Sequence, residues 1–269
     1  MPYVTKTLIT SEGRDVSHDK RISICLRANG FSFSETTSGG DLMAIGDAEG
    51  SHAAMMTDAT RDIKTYFAEV GIRPLGYRRM ELTVLSNQCT WVPDELYQPT
   101  SNRQYLSLVG GNGRGTMTAR SAELGATAVF NADEQLATAF KVAMPGLTVA
   151  NQHVRLAGLA QLGSMHPVLL GYWRDGYIDL AAYRDGRYVF GNTIAFEDDN
   201  TALFNIVDVM KTYALEGNDV ELMMCGDVSR ELYARFRPYF PKVSLFTGRC
   251  HIGPEFRGVH TYRYALILL

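Results

Sequence analysis

The sequence lacks any apolar run approaching the roughly 18 residues that cross a bilayer, so membrane insertion is not expected. Its first stretch, MPYVTKTLITSEGRDVSHDK from Met1 to Lys20, has neither an apolar core nor a small-residue cleavage site, and does not read as a secretory signal. Cysteine is scarce and scattered. Cys25, Cys89, Cys225 and Cys250 show no CxxC spacing, which argues against a disulfide framework or a zinc ribbon. Cys25 and Cys225 fall inside apolar runs, so the expectation is reduced core thiols in a cytoplasmic protein. Charge of one sign is missing too. With 26 Lys and Arg against 29 Asp and Glu, the net charge is −3, and there is no basic tail. No direct binding of nucleic acid or anionic lipid is expected.

What is present is an ordinary globular composition, 46% hydrophobic and 20% charged, in 269 residues, enough for one large domain or two lobes. A strand-and-helix unit recurs in it. Arg21 to Arg27 (RISICLR) alternates polar and apolar residues and meets Ala28-Asn29-Gly30. Phe31 to Thr36 alternates again, and Asp41 to Ile45 follows Ser38-Gly39-Gly40. Later, Val168 to Trp173 leads through Asp175-Gly176 to Tyr177–Tyr183, then through Asp185-Gly186 to Arg187–Phe196. Alternation broken by Asn-Gly or Asp-Gly predicts hairpins, so each stretch reads as a three-stranded meander.

An amphipathic helix is expected after each meander. The first carries Ala59, Ile63, Phe67 and Val70, with Thr57 or Asp58 as N-cap. The second carries Leu203, Val207, Met210 and Ala214, after Asp199 and Asn200. The helices are expected to stop at Gly71 and Gly217. A single offset in residue number relates Gly30 to Gly176, Gly40 to Gly186 and Gly71 to Gly217. Buried strands are expected at Glu81–Leu85 and Glu221–Cys225, with helical stretches opening at Glu95-Leu96-Tyr97 and Glu231-Leu232-Tyr233.

This doubled order resembles the actin-like ATPase superfamily of actin, heat-shock 70 chaperones and sugar kinases. It is nearest in look to cell-division, pilus and type II secretion assembly proteins. The fragments VLLGYWRDGYIDLAAYRDGRYVFGNTIAF and DVELMMCGDVSRELY also resemble a bacterial family described as a domain of unknown function. The fold class implied is α/β, a duplicated actin-like (ribonuclease H-like) fold with two lobes. Each lobe would have a three-stranded meander, a helix, a strand and a helix. Residues 1–165 would form the first lobe, with an insertion around 100–123, and residues 166–269 the second.

The resemblance implies a nucleotide cleft with ATP and magnesium between the lobes. Its hairpins would place Asn29 and Gly30 on one side and Asp175 and Gly176 on the other, with Gly248, after Thr247, near the adenosine. Where that superfamily handles magnesium with an acid, these hairpins carry Ala28 and Arg174. An alanine cannot hold a metal, and an arginine brings the wrong charge. The reading is therefore a non-catalytic binding or scaffold protein with a degenerate cleft, no cofactor and an unknown protein partner. The alternative is an ATPase or kinase with an altered site. The same resemblance implies a small-subunit rRNA methyltransferase as a partner, which rests on no residue of this chain.

Other candidates weigh less. Val109 to Ser121, VGGNGRGTMTARS, is rich in glycine and holds Arg114 and Arg120, but it lacks the GxxxxGK[ST] spacing and reads as a surface loop. It lies in Thr100 to Glu123, which reads as an irregular insertion. Cys250, His251 and His260 have no familiar metal spacing. His153 and His166 read as structural or solvated. No GxSxG elbow is present. A nuclease of ribonuclease H type would need a carboxylate between Arg21 and Arg27, and there is none. Thr261 to Leu269 is compatible with strand or helix.

Overall fold

The structure is a computed structural model that describes residues 3–12, 14, 19–50, 58–74, 76–111, 115–159, 166–215 and 219–269. In the first half, β1 (Val4–Thr10), β2 (Lys20–Arg27), β3 (Gly30–Thr37) and β4 (Leu42–Glu49) precede α1 (Ala59–Glu69) and β5 (Tyr77–Val84). Then come β6 (Cys89–Pro93), α2 (Asn102–Ser107), β7 (Thr116–Ser121), β8 (Ala126–Asn131), α3 (Glu134–Ala143), β9 (Thr148–Asn151) and α4 (Gln152–Ala157). The second half holds β10 (Val168–Arg174), β11 (Tyr177–Arg184), β12 (Arg187–Ala195), α5 (Asp199–Thr212), β13 (Glu221–Gly226), α6 (Arg230–Phe236) and β14 (Lys242–Leu245).

The two large sheets repeat one plan. The first runs β1-β4-β3-β2-β5-β9 and the second β12-β11-β10-β13-β14. In each, a three-stranded antiparallel meander is followed by two parallel strands, β5 beside β2 and β13 beside β10, and the first sheet adds β1 antiparallel to β4 at its edge. Parallel neighbours need a crossover, and α1 and α5 supply it. Aspartates cap both: Asp58 accepts from the Arg61 N–H and Asp198 from the Thr201 N–H. Asp198 thus caps one residue before the expected Asp199. Thr57 and Gly217 lie outside the described residues.

Strand alternation sorts side chains between two kinds of neighbour. On the first sheet Ile22, Ile24, Leu26, Phe31 and Phe33 face the helices, packing with Ile63 and Phe67 of α1 and Phe140 of α3. The Phe31 ring meets those of Phe67 and Phe140 at 5.5 and 5.4 Å. On the second sheet Leu169, Trp173, Ile178 and Leu180 pack with Ile206 of α5 and Phe236 of α6. The opposite faces meet each other. Cys25, Leu42 and Ile45 of the first sheet share a core with Val168, Leu170, Tyr172, Ala181, Tyr183 and Cys225 of the second.

Several expectations are corrected. Glu95-Leu96-Tyr97 opens no helix; Leu96 N–H bonds to the Pro93 carbonyl in a turn. The helix that follows β5 in the plan is α3, because a separate three-stranded sheet, β6-β8-β7, intervenes. The segment 100–123 is therefore not irregular: it carries α2 and β7, inside a longer intervening stretch from β6 to β8. The left-handed residue ending α5 is not a glycine but Ala214, at φ +50°, matching Gly71 at φ +76° after α1. Leu215 N–H then reaches the Met210 carbonyl as Ile72 N–H reaches that of Phe67.

After β14 the chain crosses back. Phe246 N–H still bonds to the Met224 carbonyl of the second sheet, while His251 bridges to Asp41 beside the start of β4, its carbonyl accepting from the Leu42 N–H. Thr261–Ile267 then forms a 3-10 helix, resolving the open assignment of this stretch. Ala265, Leu266, Ile267 and Leu268 are buried in the core between the sheets.

Candidate functional site

The two hairpins expected to face a ligand are equivalent by register, but not by the expected glycine match. Arg27 pairs with Gly30 across the first turn, and Arg174 with Tyr177 across the second. Arg27 therefore corresponds to Arg174, and Gly30 to Tyr177 rather than Gly176. A one-residue slip reverses which face a side chain takes, so the offset matters.

Each arginine is held by a carboxylate from its own sheet. Arg27 pairs with Asp47 of β4. Burial pushes the Asp47 carboxyl up, and the Arg27 guanidinium opposes this. Arg174 donates from Nε to Asp179 Oδ2 at 2.7 Å and from Nη2 to Oδ1 at 3.1 Å, a bidentate pair. Asp179 stands two residues past the cross-strand partner of Arg174, on the same face. It is wholly buried. Its cross-strand neighbour on β12 is Thr193, whose hydroxyl lies 2.6 Å from Oδ1.

The first half reaches into this pair from two places. Gln152, the first residue of α4, donates to Asp179 Oδ1 at 2.9 Å and to the Ser86 carbonyl. Its own carbonyl accepts from the Ser86 N–H at 3.0 Å. Arg174 donates to the Ser86 carbonyl and the Asn87 side chain, just past β5. His153 Nε2 lies 2.9 Å from Thr193 Oγ1 and 3.9 Å from Asp179 Oδ1, while its buried Nδ1 has no partner among the described residues. Burial holds the imidazole below its ordinary value; Asp179 opposes that shift and Arg174 adds to it.

The remaining expected site residues are scattered around this network. Asn29 and Asp175 are exposed turn residues. Gly30, at φ +136°, is pressed on its own sheet, where a Cβ would lie 2.0 Å from the Ala48 carbonyl oxygen. Gly176 serves its turn at φ +68° with open space above it. A Cβ on Gly248 would meet the Leu268 Cβ and carbonyl oxygen at 2.5 Å, and Arg249 N–H donates to that carbonyl. Arg120 is exposed and paired with Asp94, and Arg114 lies outside the described residues. His251 Nδ1 faces Asp41 at 3.3 Å, and the described residues contain no cluster of three metal-ligating side chains.

Asp179, Gln152, Ser86 and Thr193 were not anticipated. The available signal was one aspartate inside the apolar run YIDLAAY, since a carboxylate is rarely buried without a partner.

Solved structures share the fold. A Bacteroides thetaiotaomicron protein with actin-like ATPase fold and unknown function matches with TM-score 0.67 and 17% identity, over 87% of this chain and 93% of that one. The PilM–PilN type IV pilus biogenesis complex matches with TM-score 0.55 and 11% identity, over 92% of this chain and 96% of that one. No curated protein matches significantly. No described helix is long and apolar enough to cross a membrane. The sequence matches one family profile over residues 14–243, and the chain belongs to that family, the proteins of unknown function DUF3822.

Proposed function

We propose that this protein is a non-catalytic, actin-like binding or scaffold protein whose inter-sheet space is held by its own side chains. The observation that carries this reading is the commitment of Arg174. Its guanidinium serves Asp179, Ser86 and Asn87, so the second hairpin's cation is spent on joining the two halves.

A magnesium nucleotide, which the resemblance implies, fits these residues poorly. Gly30 abuts the Ala48 carbonyl and Gly248 abuts Leu268, so the absence of a side chain at each is used by the protein's own packing. The Asp179 carboxylate is engaged by Arg174, Gln152 and Thr193. The PilM structure was solved as a complex with PilN, and a protein partner for this chain is the matching proposal. The buried thiols of Cys25 and Cys225 suit a reducing compartment such as the cytoplasm.

One observation favours an enzyme with an altered site: Asp175 is exposed, and the space over Gly176 is open. Phosphate release from ATP with magnesium, measured for wild type and Asp175→Ala, separates the two readings. The expected outcome is background release from both, with no rise in melting temperature on adding ATP or ADP. Turnover in the wild type that Asp175→Ala abolishes would establish the enzyme instead.

A further inference from the structure

The stretch from Phe246 to Leu268 follows the second sheet in sequence yet packs on both. His251 N–H donates to the Gly40 carbonyl, and Leu42 N–H to the His251 carbonyl, at the start of β4. Ser34 Oγ of β3 donates to the Ile267 carbonyl at 2.6 Å, and both residues are buried. Ala265, Leu266, Ile267 and Leu268 join Cys25 and Ile45 of the first sheet and Tyr172, Tyr183 and Cys225 of the second in one core.

The sequence of β3 accommodates this. In Gly30-Phe31-Ser32-Phe33-Ser34 the aromatic rings turn to the helices, while the small serines lie on the other face. A larger residue at Ser34 would remove both the space and the hydroxyl that receive Ile267. At Gly248 the fit is tight enough that any side chain would strike Leu268.

From this packing we infer that residues 246–268 form a brace that sets the relation of the two sheets. The inference concerns packing alone and stands whether or not a nucleotide binds.

Cys25 and Cys225 are reporters, because both thiols are buried in the braced core. Cys89 sits outside it, at the start of β6, and serves as the internal control. The experiment is native-state labelling with an excess of a thiol reagent, located by mass spectrometry, on the full chain. In a variant carrying Ile267→Ala and Leu268→Ala, Cys25 and Cys225 should label about tenfold faster than in wild type while Cys89 is unchanged. That change corresponds to about 1.4 kcal/mol of lost closure. If this variant does not fold, Ser34→Ala, which removes one hydrogen bond, should give the same selective pattern at smaller amplitude. Equal acceleration of all three thiols, or acceleration of Cys250 alone, would overturn the brace: the first is global unfolding and the second local fraying.

Discussion

Asp179 is a charge without water, and its neighbours must replace what water would give. Arg174 supplies the opposite charge, and Gln152 and Thr193 complete the hydrogen bonds. Substituting Arg174 by Met strands the carboxylate in the core, which costs about 3–5 kcal/mol. Urea denaturation should show that loss, whereas Asp175→Ala in the adjoining exposed turn should stay within about 0.5 kcal/mol of wild type. His153 gives a pH dependence of defined sign. Burial lowers its pKa from the ordinary 6.5, so the folded protein prefers the neutral ring. The unfolded chain takes up a proton first, near 6.5, so the histidine's contribution is complete above that pH and declines as pH falls below it. One such proton gives a slope of at most about 1.4 kcal/mol per pH unit. Stability measured from pH 7 to 5 should fall less steeply in His153→Gln than in wild type. A parallel fall in both proteins would remove the histidine from the account.

At the scale of elements, the two crossover helices end alike but with different residues. Gly71 takes the left-handed conformation after α1 without steric cost, whereas Ala214 takes it after α5 with its Cβ crowded against the backbone. Ala214 is exposed, so its methyl group contributes little packing to offset the strain. Ala214→Gly should raise stability by roughly 0.5–1 kcal/mol, read as a later midpoint in urea, after allowing for the glycine's greater freedom when unfolded. No change, or a loss, would mean that the left-handed turn costs nothing here. Meanders and crossover helices were legible from the sequence because alternation, Asp-Gly turns and aspartate caps are local signals. The hairpin equivalence was misread by one residue because glycines were matched, and Gly30 answers to the Ala48 carbonyl rather than to its turn. The β6-β8-β7 sheet escaped notice for a related reason. Its strands are short, and ELY at 95–97 repeats the letters of 231–233 without the capping Ser229 that starts α6.

At the scale of the whole molecule, the decisive contacts lie between residues far apart in sequence. Ser86 lies 66 residues from Gln152, and Arg174 lies 88 from Ser86. No local pattern announces such pairs; a buried aspartate signals that a partner exists but not which one. The fold class was readable because it follows from the order of elements, while the site follows from how two sheets meet. The brace carries this furthest, since Ser34 and Ile267 are 233 residues apart. Synthesis runs from the N-terminus, and residues 246–268 are made after both sheets. The two sheets can begin to bury the faces bearing Cys25 and Tyr172 against each other, but the core they share is not filled until Ala265, Leu266, Ile267 and Leu268 arrive. During that interval the nascent protein carries an apolar gap that residues 265–268 later fill, and chaperones that bind such surfaces have their opportunity then.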